Sequence, residues 1–341
     1  MRLPLLLAGL LFLVACGREP ALHRLSGHTM GTTWHVTLTA PAGLSLRAAA
    51  LTAGVEQTLE AVNASMSTYR DDSEISRFNR LPVNSWFTVS ESFFHVLSAA
   101  LAVGRDSGGA YDITVGPLVN LWGFGPAGVA VTPPEPAAIE QTLQQVGQHW
   151  LRLDSSEMRV LKTADVYLDL SSIAKGWAVD EVARWLREQG IEDYLVEVGG
   201  EMRVAGQSPR GDAWRVAIEQ PDARQFGIAG AIRLSDQGVA TSGSYRNFFE
   251  VDGVRYSHSI DPRTGYPIAH ELVSVTVVNA STMLADAWAT ALTVLGAQEA
   301  WSVAQAQGLA VYLIERDGDG FSSRFTEAFE PLLDDLPQTS K

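Results

Sequence analysis

The sequence has one cysteine, Cys16, in 341 residues, so no intrachain disulfide can form. The chain beyond residue 16 offers no thiolate, which excludes a reactive-cysteine mechanism. Basic residues are also scarce: 25 Lys and Arg against 39 Asp and Glu leave a formal charge of −14. Phosphate-backbone binding needs a basic stripe, so nucleic acid is excluded as a partner. Runs of like charge, internal repeats and low-complexity tracts are missing too, and the acidity is dispersed over the surface. What is present is an ordinary globular balance, 46% hydrophobic and 19% charged, with core enough for one large domain or two moderate ones.

Arg2 supplies a positive charge, and Leu5 to Ala15 is an apolar stretch too short to span a bilayer stably. It ends in Leu13-Val14-Ala15-Cys16 followed by Gly17. Small residues and then a cysteine resemble the lipobox of bacterial lipoproteins; the alternative is a plain secretory signal with an incidental cysteine. The resemblance implies a signal peptide over 1–15, a lipidated Cys16 and a polar tether over 16–25. A globular domain over 26–335 follows. Several acyl chains hold a domain to a membrane far more firmly than one. The expected location is the periplasmic side of the cell inner membrane, lipid-anchored.

Along the chain, Trp34, Val36 and Leu38 alternate as in a half-buried strand, and Gly31 before them marks a bulge or close backbone approach. Leu51, Val55, Leu59, Val62 and Met66 recur at helical spacing over about 45–67. Ser73 and Ser90 each cap a helix, the second running to Asp106 before Gly108-Gly109. Pro126 to Pro136 is the most linker-like segment, followed by a helix over 136–146 and strands near 150–161. Val166 to Leu170 reads as a buried strand feeding a helix from Ser171-Ser172 to Gly190. Strands follow at 194–198, 213–219 and 228–234, then a hydroxyl-rich loop from Val239 to Arg246. Leu272 to Val278 alternates as a strand, and Ser281 caps a helix through Leu292.

Three clusters carry chemistry. Asp169, Ser171, Ser172 and Lys175 sit where strand turns into helix, so free backbone N–H groups and a positive dipole end meet polar side chains. That makes an anion or phosphate site; an ordinary serine N-cap accounts for one serine but not for Asp169 and Lys175. Asp286 and Thr290 lie on one helical face among alanines and leucines. A carboxylate there needs a partner: a hard cation such as Mg²⁺, a salt bridge, or a helix N-terminus. The third cluster, Tyr256 to Gly265, packs His258, Asp261 and Arg263 into a turn forced by Pro262 and Gly265. Met30, Tyr69 and the glycine- and aromatic-rich stretches Ala110 to Pro117 and Leu121 to Gly125 serve either as packing or as walls for a planar ligand.

Taken alone, Ser172-Ile173-Ala174-Lys175 is an S-x-x-K and Arg263-Thr264-Gly265 is close to K-T-G, a pairing found in penicillin-binding serine acyltransferases. A non-enzymatic, flavin-binding lipoprotein is a further alternative. The full set of segments resembles the FAD:protein FMN transferases of the ApbE family. They are Met30-Gly31-Thr32, Asp169 to Gly176, Glu197 to Glu201, Thr241 to Arg246, His258 to Gly265 and Asp286 to Thr290, in the family's order over nearly the whole mature chain. The resemblance implies a single α+β, T-fold-related domain with antiparallel sheet and flanking helices. It also implies an Mg²⁺-dependent transfer of FMN from FAD to a threonine or serine hydroxyl through a phosphoester, releasing AMP. Hydrolysis of FAD to FMN and AMP is the alternative outcome. By the same resemblance Ser172, Asp286, the Ala289 carbonyl and Thr290 bind the metal. Met30, Tyr69, Ala110, Tyr111, Asp112, Asp169, Lys175 and Ile260 hold FAD. His258 accepts the acceptor's proton, since an imidazole titrates near neutral pH. Asp261 orients it or holds substrate. The implied acceptors are subunits of sodium-pumping NADH:quinone oxidoreductase or related membrane redox complexes.

Overall fold

Strands β1 (Ala21–Thr29) and β2 (Thr32–Ala40) pair antiparallel along their whole length. Met30 and Gly31 join them at φ 49° and 71°. Two positive φ values make the turn whose twist suits a hairpin, so Gly31 closes a turn where a bulge or close approach was expected. The tether is correspondingly shorter than 16–25. Ala21 to Leu25 bond with β2, and Leu25 opposite Val36 is buried in the core. The computed structural model describes residues 21–40, 47–125, 132–222, 227–244 and 247–334. Cys16, the 1–15 segment and the Tyr245-Arg246 pair lie outside them.

Helix α1 (Ala48–Met66) buries the five residues that set its period. Ser73 accepts the Ser76 N–H at 3.1 Å to start α2 (Glu74–Asn79). After β3 (Phe87–Thr88), Ser90 accepts the Phe93 N–H at 3.2 Å to start α3 (Glu91–Asp106). Then come α4 (Gly116–Leu121), α5 (Pro136–Leu143), β4 (Leu151–Asp154) and β5 (Arg159–Lys162). The linker-like 126–136 lies partly outside the described residues, and its two flanks, α4 and α5, pack together around Leu118, Trp122 and Ile139.

Val166 to Leu170 is extended and alternately buried, but it joins no sheet. The Asn79 amide takes the place of a neighbouring strand: Leu168 N–H donates to Asn79 Oδ1 at 2.8 Å, and Asn79 Nδ2 donates to the Leu168 carbonyl at 2.9 Å. Helix α6 (Ala174–Glu188) begins after the two serines, not on them, and its N-cap residue Ile173 supplies no side-chain bond. Strands β6 (Asp193–Val198), β7 (Glu201–Ala205), β8 (Trp214–Glu219) and β9 (Ile228–Leu234) follow. The expected hydroxyl-rich loop is largely a strand, β10 (Gly238–Gly243). A hairpin of β11 (Phe248–Val251) and β12 (Val254–Ser257) precedes β13 (Leu272–Asn279) and α7 (Thr282–Ala306). Strands β14 (Ala310–Asp317), β15 (Gly320–Phe325) and β16 (Leu333–Asp334) complete the described chain.

The main sheet runs β1-β2-β6-β7-β10-β13-β14-β15, antiparallel throughout. Its period-2 alternation divides the core. On β14, Val311 and Leu313 face the cluster shared with α1, α3, α6 and α7, while Tyr312 and Ile314 face the small β16-β9-β8 sheet. The chain is therefore an α+β fold with helices on one face and a second sheet on the other. Among the described residues, no helix is long and apolar enough to cross a membrane.

Candidate active site

A cavity of about 630 Å³ opens where the N-terminus of α6 and the Asp286–Thr290–Val294 face of α7 meet the ends of β7, β8, β10 and β12. It gathers Tyr69, Ala110, Tyr111, Asp112, Asp169, Ser172, Lys175, His258, Ile260, Asp286 and Thr290 from segments far apart in sequence. Three expected residues are not among its lining. Met30 stands at the β1–β2 turn in a separate shallow groove, its side chain against the main core. Ala289 is buried inside α7, where its carbonyl accepts the Thr293 hydroxyl at 2.8 Å. Asp261 faces away into its own turn.

The charged centre is Lys175. Its Nζ donates to Glu201 Oε1 at 3.0 Å and lies 3.8 Å from Asp286 Oδ1. The other Asp286 oxygen accepts the Gly176 N–H at 3.0 Å, filling the cap that no serine supplies to α6. Burial pushes the Asp286 carboxyl up against the opposing pull of Lys175. Burial likewise pushes Glu201 up to about 7. Burial works against the Lys175 ammonium, but Asp286 and Glu201 outweigh it and raise its pKa. One ammonium faces two buried carboxylates, and Glu201 Oε2 has no hydrogen-bond partner among the described residues. The centre thus has unmet capacity for positive charge.

On one wall, Ser172 Oγ donates to the Tyr111 hydroxyl at 3.0 Å, and burial pushes that phenol up. Tyr69 stands at the rim, 73% exposed, as a free aromatic surface. Asp169 turns back to accept the Ser171 N–H at 2.8 Å. Asp112 braces the wall from behind: Oδ1 accepts the Thr114 N–H and hydroxyl, and Oδ2 accepts the Gln148 N–H at 2.9 Å.

On the facing wall, His258 Nδ1 lies 3.1 Å from the Asn247 carbonyl. A carbonyl only accepts, which assigns the proton to Nδ1 and leaves Nε2 with a lone pair. Burial lowers the imidazole pKa, helped by Lys175 and opposed by the Asn247 bond. Asn247, not Asp261, orients this ring. Asp261 is occupied by Arg263, accepting Nε at 3.0 Å and Nη2 at 2.9 Å, and that pair braces the turn.

The serine acyltransferase alternative fails on this geometry. Ser172 and Lys175 turn to different partners, so no base activates the hydroxyl. Arg263-Thr264-Gly265 lies outside the cavity, where the Gly265 carbonyl accepts Trp122 Nε1 at 2.8 Å. Sequence reasoning assigned Asn247 no part, and it placed Glu201 and Phe124, whose ring edges His258 at 6.3 Å, only within longer segments without a role of their own. Glu201 had a signal, a carboxylate directly after Gly199-Gly200 at a strand end. Asn247 acts through its backbone, which no side-chain pattern reports.

The fold and cavity define a single-domain α+β protein whose cavity sets a lysine between two buried carboxylates and faces them with an imidazole. The ApbE family model matches residues 30–313, and the chain belongs to the ApbE family. It is 43% identical over 327 residues to the FAD:protein FMN transferase of Vibrio cholerae, covering 96% of this chain and 97% of the relative. The FAD:protein FMN transferase of Escherichia coli K12 is 40% identical over 339 residues, covering 96% of each. Among solved structures, the flavin transferase ApbE from Vibrio cholerae superposes with a TM-score of 0.86 at 41% identity, over 92% of this chain and 100% of that one. The apo flavinyl transferase ApbE of Pseudomonas stutzeri gives 0.85 at 40% identity, over 92% and 97%.

Proposed function

We propose that this enzyme is a flavin transferase that moves the FMN half of FAD onto a threonine or serine hydroxyl of an acceptor protein. The relatives named as FAD:protein FMN transferases, similar over nearly the full chain, support that reading. The observation that carries it is the facing pair: His258 with Nε2 unprotonated across one cavity from Lys175 at the α6 N-terminus. The acceptor oxygen attacks the phosphorus on the FMN side of the pyrophosphate, and its proton passes to His258 Nε2. The bond from that phosphorus to the bridging oxygen breaks, and AMP leaves with the bridging oxygen. Lys175 holds the phosphoryl charge.

The donor set suits a hard divalent cation. Among the described residues there is no group of three or more His, Cys, Asp or Glu that could hold a metal. The cavity nevertheless presents the Asp286 carboxylate, two hydroxyls from Ser172 and Thr290, and unmet capacity for positive charge at Glu201. Mg²⁺ takes one or two carboxylates and completes its shell with substrate phosphates and water. Asp286, Thr290 and Ser172 would hold it; the Ala289 carbonyl, already engaged by Thr293, is the weakest of the four ligands implied by the family. When bound, Mg²⁺ supplies neutralisation of phosphoryl charge and alignment of attacking and leaving oxygens.

Hydrolysis differs only in that water replaces the hydroxyl at His258. A lipid anchor at Cys16 would favour transfer, by holding the enzyme on the periplasmic side of the inner membrane beside acceptors such as subunits of sodium-pumping NADH:quinone oxidoreductase. The test is intact-mass spectrometry of a threonine-bearing acceptor domain after incubation with enzyme, FAD and Mg²⁺. An FMN adduct is expected, lost when that threonine is alanine. Unchanged FAD with no adduct rejects both transfer and hydrolysis.

A further inference from the structure

Asp180 lies on α6, yet its carboxylate closes the first turn of α7. Oδ1 accepts the Thr282 N–H at 3.1 Å, and Oδ2 accepts the Met283 N–H at 3.1 Å and the Ser281 hydroxyl at 2.9 Å. Arg203 on β7 braces the same group, donating Nη1 to Asp180 Oδ1 at 3.1 Å and to the Ala280 carbonyl at 2.6 Å. Asp286 reciprocates from α7 by accepting the Gly176 N–H of α6. Each helix thus supplies the carboxylate that satisfies the other's unpaired N-terminal donors.

The two caps meet at a crossing of bare backbone. A Cβ on Gly176 would stand 2.8 Å from Met283 Cα, and one on Gly238 would stand 2.7 Å from Thr282 Cα. The first turn of α7 is therefore wedged on two sides and pinned at its end. Asp286 follows Thr282 by one turn and Thr290 by two, so a rotation of that first turn swings both residues relative to the cavity. Asp180 itself does not line the cavity and reaches the chemistry only through α7.

We propose that Asp180, braced by Arg203, is a positioning residue of the flavin-transfer site, setting the register of α7 on α6 and with it the placement of Asp286 and Thr290 beside Lys175. This rests on the role given above to Asp286 and Thr290. The test compares the full chain, Asp180→Asn, Asp180→Glu, and Ser73→Ala, which removes the cap of α2 away from the cavity. Measurements are made below the unfolding temperature of all four. In Asp180→Asn, amide exchange at Gly176 is expected to accelerate, and calorimetric Mg²⁺ affinity in the presence of FAD to fall roughly tenfold, the scale seen when a residue orienting a metal ligand is lost. Asp180→Glu keeps the charge and recovers part of both. Ser73→Ala loses thermal stability and neither of these. Unchanged exchange at Gly176 in Asp180→Asn overturns the proposal, as does faster exchange with unchanged Mg²⁺ affinity. A wild-type chain that consumes no FAD overturns the functional reading instead, while exchange at Gly176 still decides the register.

Discussion

At the scale of single residues, His258 shows how one backbone bond and burial set the state of an imidazole. The Asn247 carbonyl fixes the proton on Nδ1, and burial keeps Nε2 unprotonated as pH falls. Its pKa in the folded chain lies below the ordinary 6.5. The unfolded chain therefore takes up a proton at His258 first as the pH drops, so this group's contribution to stability is lost below about pH 6.5. A titration of the imidazole by NMR is expected to give a midpoint below 6.5, and a midpoint at or above it contradicts the assigned environment. Asp261 makes the complementary case. Because its carboxylate is held by Arg263, Asp261→Asn is expected to leave the His258 midpoint unmoved, while urea unfolding records a loss of roughly 0.5–1 kcal/mol from this partly exposed pair. A shifted midpoint would restore Asp261 as the orienting residue.

At the scale of elements, what the sequence discloses depends on how far away the partner lies. Ser73, Ser90 and Ser281 are readable as caps because each bonds an N–H three residues on. The start of α6 is not readable, because its cap is a carboxylate from α7 and the serines before it turn elsewhere. The Val166–Leu170 strand fails for a related reason: its pairing partner is one asparagine side chain, not a strand. Strand β10 hid behind small hydroxyl residues that resemble loop; their pairing with β13 is a property of the sheet. Within the site, the clusters at Lys175, His258 and Asp286 were legible as chemistry, whereas the charge excess around Glu201 depends on burial that no local pattern encodes. The crossing of α6 and α7 yields its own expectation. Gly176→Ala drives a methyl group into the backbone of α7 and should lower stability by about 1–3 kcal/mol. Urea unfolding checks this through a lower midpoint at constant slope. An unchanged midpoint would mean the helices are not in backbone contact.

At the scale of the molecule, one sheet holds the whole arrangement. Strand β2 begins at the turn bearing Met30 and ends at Ala40, opposite Ala21. Strand β6 runs antiparallel beside it, delivering Gly199-Gly200 and Glu201 to the cavity near the Met30 end. The first described residue and the cavity therefore lie at opposite ends of the hairpin, about 25–30 Å apart at the rise of an extended strand. A lipid on Cys16 would join the chain at the Ala21 end of this hairpin, not at the Met30 end. Full-length protein is then expected in the membrane fraction with incorporated labelled palmitate, and Cys16→Ser in the soluble periplasmic fraction with undiminished transfer in solution. Membrane-bound Cys16→Ser would contradict the anchor. The proposed function turns on His258 taking the proton of the oxygen that attacks FAD. The most direct measurement counts AMP released and flavin covalently attached in one reaction, for the wild-type chain and for His258→Ala. Transfer through His258 predicts one adduct per AMP in the wild type and a loss of about 10²–10⁴-fold in both for the variant, with FAD binding retained. AMP released without adduct in the wild type, or equal rates in the variant, would contradict it.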